Sequence, residues 1–261
     1  MKCRLHGILT LIVGCVCFKT RSTSSVKSGI FAVTGKRDCM PEKKRKRRTA
    51  SLRHENEYFA QGYHHIFGLD EVGRGALAGP VTVGAVCLPV RSKKLRKYLE
   101  GVRDSKEMTP RQRALLVENI KKYALAWGVG SVPNTVIDET DIVSAIKQAM
   151  KLALDDALSR ADIEPDCFFL DSLLWPEMAH IPQVSIVEGD KRSLTIAAAS
   201  VLAKTWRDEF MINCAPDYPV YDFAAHKGYG TSKHFAEIKA FGPSDLHRMT
   251  FKPMASPDDN G

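Results

Sequence analysis

Ile66-Phe67-Gly68-Leu69-Asp70-Glu71-Val72-Gly73-Arg74-Gly75-Ala76-Leu77-Ala78-Gly79-Pro80, followed by the β-branched run from Val81 to Leu88, is the stretch that decides the fold. Ile66 to Asp70 reads as a strand that ends in an acid. Three glycines and Pro80 then interrupt regular structure, and Val81 to Leu88 reads as a second strand. Downstream, Thr109-Pro110 is an N-cap followed by a first-turn proline, predicting a helix to about Tyr123 with Leu116 and Ile120 on one face. Ala126 to Val132 is a further strand. Asp141 opens a helix in which Ile142, Ile146, Met150, Ala153 and Ala157 recur at helical spacing, a core-facing stripe. Cys167 to Leu170 is a short buried strand ending at Asp171, and Val184 to Val187 a strand ending at Glu188-Gly189-Asp190. An Ala-rich helix runs from Ser193 to about Ile212, and a Pro/Tyr/Gly-rich loop spans 216–230. Thr231 caps a last helix to about Phe241. Strands in succession, then strands alternating with helices, indicate an α/β domain with a mixed sheet.

Asp70, Glu71, Asp171 and Asp190 all stand at the ends of these strands. Strand ends flank the crevice of an open α/β sheet, so side chains there can share one site. Four carboxylates repel one another and raise each other's pKa unless cations join them. A pair of Mg²⁺ or Mn²⁺ ions, which take hard oxygen ligands, meets that need and suits in-line phosphoryl displacement. Successive strand residues point to opposite faces, so convergence of Asp70 and Glu71 requires the strand to end or bend there. Taken singly, each acid also reads as a solvated carboxylate. Gly73-Arg74-Gly75-Ala76-Leu77-Ala78 fits the GxGxxA dinucleotide fingerprint, but that reading needs a helix to follow, and a Val-rich strand segment follows instead. A tight glycine loop that lets a sugar-phosphate chain approach its backbone, with Arg74 alongside, fits better.

The chain has 261 residues, 44% hydrophobic and 26% charged, enough to bury a core without disulfides. Its net charge of +8 is unevenly placed. Residues 1–48 hold 13 Lys and Arg against two acids, and the other 213 residues carry a balance of −3. The basic character therefore belongs to a tail, 1–48, expected to be disordered, and not to the body. Within the tail, Ile8 to Phe18 is a weak signal-like segment, and Met40 offers an alternative start. The run Lys43 to Arg48 fits a solvated arm, a phosphate-binding arm or an import signal. The seven cysteines form no CxxC pair, so neither a zinc knuckle nor a disulfide framework is supported. No apolar run is long and uncharged enough to argue for a membrane span.

In order along the chain stand Gly68-Leu69-Asp70-Glu71-Val72-Gly73-Arg74-Gly75, Asp104-Ser105-Lys106, Phe169-Leu170-Asp171 and Glu188-Gly189-Asp190. Ala197 to Asp208, His226-Lys227-Gly228-Tyr229-Gly230-Thr231 and His247-Arg248-Met249-Thr250-Phe251 follow. This series resembles the bacterial ribonuclease HII family of type 2 ribonucleases H, over about residues 57–253. The resemblance implies an RNase H-like fold, with a mixed five-stranded sheet flanked by helices and a small helical C-terminal part. Residues 49–215 would form the catalytic domain, and 216–261 would complete the substrate cleft. It implies cleavage of the RNA strand of RNA–DNA hybrids and incision at single ribonucleotides in duplex DNA, leaving 3′-hydroxyl and 5′-phosphate ends. Roles in ribonucleotide excision repair and DNA replication, a cytoplasmic location and a monomeric state go with it. By the same resemblance, Asp70, Glu71, Asp171 and Asp190 are the catalytic acids that hold Mg²⁺ or Mn²⁺. Gly73, Arg74 and Gly75 would contact the 2′-hydroxyl at the RNA–DNA junction, the group that distinguishes RNA from DNA. Tyr229 would stack on the deoxyribose beyond it. Lys106, His226 and Lys227 would contact phosphates, and Asp208 would be a helix-surface or ion-pairing residue rather than a metal ligand. The chain departs from the family in having Ser172 after Asp171, where glycine is usual, and Glu188 before Gly189-Asp190, where lysine is usual. A non-catalytic nucleic-acid-binding protein that uses its basic N-terminal arm is the competing reading. A nicotinamide oxidoreductase is a third.

Overall fold

β1 (Ile66–Val72) runs antiparallel to β2 (Val81–Cys87), which runs antiparallel to the edge strand β3 (Ala126–Val132). On its other side β1 runs parallel to β4 (Cys167–Leu170), and β4 runs parallel to β5 (Gln183–Ser185). The result is a five-stranded mixed sheet in the order β3-β2-β1-β4-β5, the α/β arrangement expected. The structure is a computed structural model that describes residues 49–255. The tail 1–48, with its signal-like segment and its cation run, lies outside the described residues.

The helices are α1 (Arg53–Ala60), α2 (Leu95–Tyr98), α3 (Pro110–Tyr123), α4 (Asn134–Glu139), α5 (Ile142–Leu158), α6 (Gly189–Arg192), α7 (Leu194–Cys214), α8 (Phe223–His226) and α9 (Ser232–Phe241). Local chemistry sets their starts. Thr109 and Gln112 form a reciprocal capping box ahead of Pro110. The Asp141 carboxylate accepts from the Val143 and Ser144 amides, and Ser193 caps α7. One face of the sheet packs on α5, where Ile146, Met150, Ala153 and Ala157 meet Phe67, Leu69, Val83 and Phe168. The other face packs on α7 and α3 through Val86, Leu88, Ile120, Ala198 and Leu202. Among the described residues, no helix is long and apolar enough to cross a membrane.

Glycines on the strands set how closely the helices approach. A Cβ on Gly84 would lie 2.3 Å from the Ala199 carbonyl oxygen, and one on Gly68 2.6 Å from the Ile196 amide nitrogen. Both are distances no side chain tolerates, so α7 rests directly on the backbones of β1 and β2. Cys87 and Cys167 are buried free thiols, each pushed up to about 12 by burial and, secondarily, by Asp166. They behave as small core hydrophobes.

Three expectations change. β1 does not end at Asp70, because its antiparallel pairing with β2 continues to Val72 opposite Thr82. The last strand is Gln183–Ser185, shorter and earlier than Val184 to Val187. The left-handed Glu188 (φ 53°) then turns the chain, so Asp190 lies in the first turn of α6 and not at a strand end. Helix α4, which begins directly after Pro133, gave no periodic signal in six residues.

Candidate active site

The alternation of β1 settles how its two acids are used. Gly68 and Asp70 share the face covered by α7, whereas Leu69 and Glu71 face the α5 side. Asp70 is 8% exposed. Burial pushes its carboxyl well above the usual carboxylate range, and Glu71, Asp171 and Asp190 add to the push. A hydrogen bond with the Ser200 side chain works the other way. The Ser200 hydroxyl also lies 2.9 Å from the Ser105 hydroxyl, so Asp70, Ser200 and Ser105 form a buried polar chain. The close seat of α7 on Gly68 and Gly84 is what brings Ser200 to Asp70.

Asp171 follows β4, whose Leu170 is paired with Leu69, so it stands beside Asp70. Its Oδ1 accepts from the Gly189 amide at 3.2 Å and from the Ser172 hydroxyl at 3.0 Å. The Gly189 bond ties the end of β4 to the turn that carries Asp190. Asp190 is 5% exposed. Burial and Asp104 push its carboxyl up to about 6, against Lys106, with Asp171 adding to the rise. Glu71 is also raised, by burial, although Arg74 opposes this from 3.6 Å. Asp70 thus feels the charge of Glu71, Asp171 and Asp190, and β1 continues unbroken through Asp70–Glu71, with those two acids lining the cleft. Among the described residues, no three His, Cys, Asp or Glu side chains are already gathered into a metal-holding group.

The loop after β1 lies against the loop that carries Tyr229. Ala76 and Tyr229 form an antiparallel bridge, and the Leu77 amide donates to the Gly228 carbonyl at 2.8 Å. Two buried arginines hold this pair of loops from beneath. Arg207 donates to the carbonyls of Pro80, Ala78 and Lys227, and Arg248 donates to those of Gly79 and Arg74. Gly73 has φ +92°, and a Cβ there would lie 2.2 Å from Arg207 Nε, so both its conformation and its contact require glycine. A Cβ on Gly75 would meet nothing within 4 Å, which leaves that backbone open to a ligand. A cleft of about 1120 Å³ runs past this loop, lined by Asp70, Glu71, Gly75, Lys106, Lys204 and Tyr229 among others.

The cations fall into two kinds. The exposed Lys106 lies in the field of the acids. Burial lowers its pKa, but Asp190, Asp104, Asp70 and Asp171 outweigh that and leave it raised. Lys227 sits on the cleft wall with its ammonium turned to the Ala224 carbonyl. His226, expected to contact a phosphate, lines the cleft with both ring nitrogens already partnered. It is 8% exposed, its Nδ1 accepts from the Gly228 amide, and its Nε2 lies 3.0 Å from Glu237. Both ring nitrogens are engaged in holding the Tyr229 loop. Asp208 pairs with Arg113 and Lys204, each at 2.7 Å, as an ion-pairing residue. Sequence reasoning missed Asp104 as a fifth carboxylate facing Asp190. It also missed the Ser105–Ser200 contact and the scaffolding arginines, although all stand inside the separated sequence motifs.

The family model for ribonuclease HII matches residues 67–254. The chain belongs to the ribonuclease HII family. It is 45% identical over 203 residues to the ribonuclease HII of Halalkalibacterium halodurans, covering 78% of this chain and 73% of that protein. The crystal structure of ribonuclease H2 from Pyrococcus horikoshii aligns with a TM-score of 0.59 at 25% identity, over 72% of this chain and 94% of that one. Bst-RNase HIII, crystallised in complex with Mn²⁺, shares the fold with a TM-score of 0.54 at 18% identity, over 73% of this chain and 68% of that one. As a member of this family, the chain is a ribonuclease H with an RNase H-like fold, from a divalent-metal-dependent family that acts on RNA–DNA hybrids. The GxGxxA string is accordingly no dinucleotide site. After Pro80 it leads into β2 and not into a helix.

Proposed function

We propose that this chain hydrolyses the RNA strand of RNA–DNA hybrids and also incises on the 5′ side of single ribonucleotides in duplex DNA. Asp70, Glu71, Asp171 and Asp190 serve as its metal-binding acids. The observation that carries the reading is the bridge between Ala76, directly after Gly73-Arg74-Gly75, and Tyr229, with those three residues, Tyr229, Asp70 and Glu71 lining one cleft.

The donor set fits Mg²⁺ or Mn²⁺. It is all carboxylate oxygen, and burial and mutual repulsion push Asp70 and Asp190 up, a penalty a divalent cation relieves. When bound, such ions supply the positive charge and Lewis acidity that favour attack of water on a phosphodiester. The protein's own residues do the rest. The Gly189 amide and the Ser172 hydroxyl orient the Asp171 carboxylate, and Ser200 orients Asp70. The open backbone at Gly75 admits a sugar edge, whose 2′-hydroxyl is the group available to hydrogen-bond there. Arg74 and Lys106 offer cations to the flanking phosphates. The Tyr229 ring, backed by Lys204 at 5.2 Å and Arg207 at 5.1 Å, closes the far side against a deoxyribose.

The test is a DNA duplex bearing one ribonucleotide, and a long RNA–DNA hybrid, each incubated with Mg²⁺ and with Mn²⁺. Nicking 5′ of the ribonucleotide with a 5′-phosphate product is expected. No nick with either metal would overturn the proposal.

A further inference from the structure

The position of Tyr229 is set by a directional chain of hydrogen bonds through two buried histidines. His234 and His247 are 0% and 1% exposed. The Ser244 amide lies 2.9 Å from His247 Nδ1, His247 Nε2 lies 3.0 Å from His234 Nε2, and His234 Nδ1 lies 3.0 Å from the Tyr229 carbonyl oxygen. A backbone amide can only donate and a carbonyl can only accept. His247 Nδ1 is therefore bare and its proton sits on Nε2. That proton occupies the space between the two rings, so His234 Nε2 is bare, and the proton on His234 Nδ1 is donated to Tyr229. Both ends of the chain are backbone groups, and together they leave one arrangement of protons for two neutral rings.

We infer that His234, oriented by His247, is a positioning residue that fixes the Tyr229 loop against the Gly73–Gly75 loop for substrate selection. The inference rests on the reading of Tyr229 as the group that closes on the sugar at the RNA–DNA junction. The geometry supports it from a second side. His226 stacks on His234 with ring centroids 4.1 Å apart, and it receives the Gly228 amide while contacting Glu237. Gly228, Tyr229 and the facing Leu77 are thereby tied into one hydrogen-bonded unit. The surroundings keep both rings neutral. Burial lowers His234 and takes His247 down to about 4, and neighbouring histidines add to this. Glu237 and Asp245 are the acids in the neighbourhood, and Tyr221 and Phe223 pack the rings from α8 and the preceding loop.

Two measurements on the full chain test this. Long-range ¹H–¹⁵N correlation spectra at neutral pH should find His234 protonated on Nδ1 and His247 on Nε2. A His234 protonated on Nε2, or on both nitrogens, overturns the inference. The second measurement is steady-state nicking of a duplex containing one ribonucleotide. His234→Leu should raise KM about tenfold, the scale of one buried hydrogen bond, with kcat within about threefold. His234→Asn, which can place an amide N–H where Nδ1–H stood, should recover most of the loss. Loss of kcat at unchanged KM, or no recovery with Asn, overturns the inference. Tyr229→Ala and the Tyr229→Ala/His234→Leu pair should be equally impaired, because the histidine acts through the tyrosine. An additive loss overturns the inference alone, whereas wild-type KM in Tyr229→Ala overturns the reading of Tyr229 and the inference with it. Should His234→Leu fail to fold, the tautomers of the unaltered protein decide.

Discussion

Ala76 and Tyr229, far apart in the chain, are joined by an antiparallel main-chain bridge that makes the glycine loop after β1 and the loop before α9 one structural unit. Arg207 and Arg248 reinforce it with five hydrogen bonds to carbonyls of the two loops and their flanks. The acids lie next to this unit because the same strand, β1, runs into it.

Asp70→Asn should trade activity for stability. The folded chain holds this carboxyl buried among like charges, so its ionised form is a cost at neutral pH. The amide removes that cost. Thermal melting without metal should rise by about 2–4 °C for each kcal/mol recovered, while cleavage falls by about a hundredfold or more. A variant with unchanged melting and full activity would remove Asp70 from the site.

Gly84→Ala should disturb the site from a distance. The added Cβ meets the Ala199 carbonyl oxygen at 2.3 Å, which forces α7 off the sheet and Ser200 away from Asp70. Overpacking of this kind costs about 1–3 kcal/mol. Urea denaturation should register it as a lower midpoint at constant slope, together with reduced nicking.

Two groups bend the stability–pH curve in opposite senses. His247, held at about 4 by burial, stabilises fully above its unfolded value near 6.5. That contribution is lost as pH falls toward about 4, because the unfolded chain then binds a proton that the folded chain refuses. Asp190, raised to about 6 by burial and Asp104, contributes stability below its unfolded value near 3.8 that is lost as pH rises to about 6. On the proposal that Asp190 helps hold Mg²⁺, the ion would compete with the proton there, and its effect on the melting temperature should grow from pH 5 to pH 7. A Mg²⁺ shift independent of pH would contradict the assignment of Asp190 to the metal.

Ser172→Gly should raise stability modestly. Ser172 has φ 57°, in the left-handed region that costs a side-chain-bearing residue about 1–2 kcal/mol. Glycine's greater freedom in the unfolded chain, and loss of the bond to Asp171, offset part of the gain. A rise of about 1–3 °C in melting temperature with nicking changed less than threefold is expected. A fall would mean that the Ser172–Asp171 bond outweighs the backbone strain.

Removing residues 1–48 should leave nicking intact while weakening binding at low salt and flattening its salt dependence. Each phosphate that the tail no longer neutralises lowers the slope of log affinity against log salt by about 0.9. Loss of nicking in the shortened chain would favour a role for the basic arm beyond binding.

What the chain order carried was local. The strand-and-glycine alternation around Asp70, the stripe on α5 and the caps at Thr109, Asp141, Ser193 and Thr231 are interactions over a few residues, and their signals stand next to one another in the sequence. The separated motifs named the family because their residue types and order survive without coordinates. Other features were out of reach. The left-handed turn at Glu188 that lifts Asp190 onto α6, and the burial of His226, depend on neighbours distant in the chain. The sequence by itself determined the family and the order of most elements, and it named Asp70, Glu71, Asp171 and Asp190 as candidates for the chemistry. Only the tertiary structure decided which face each acid takes, that Ser200 reaches Asp70, and that His234 holds Tyr229. The physical reason is that hydrogen bonds, charge coupling and close packing act through a few ångströms of space, and folding alone brings those groups within range.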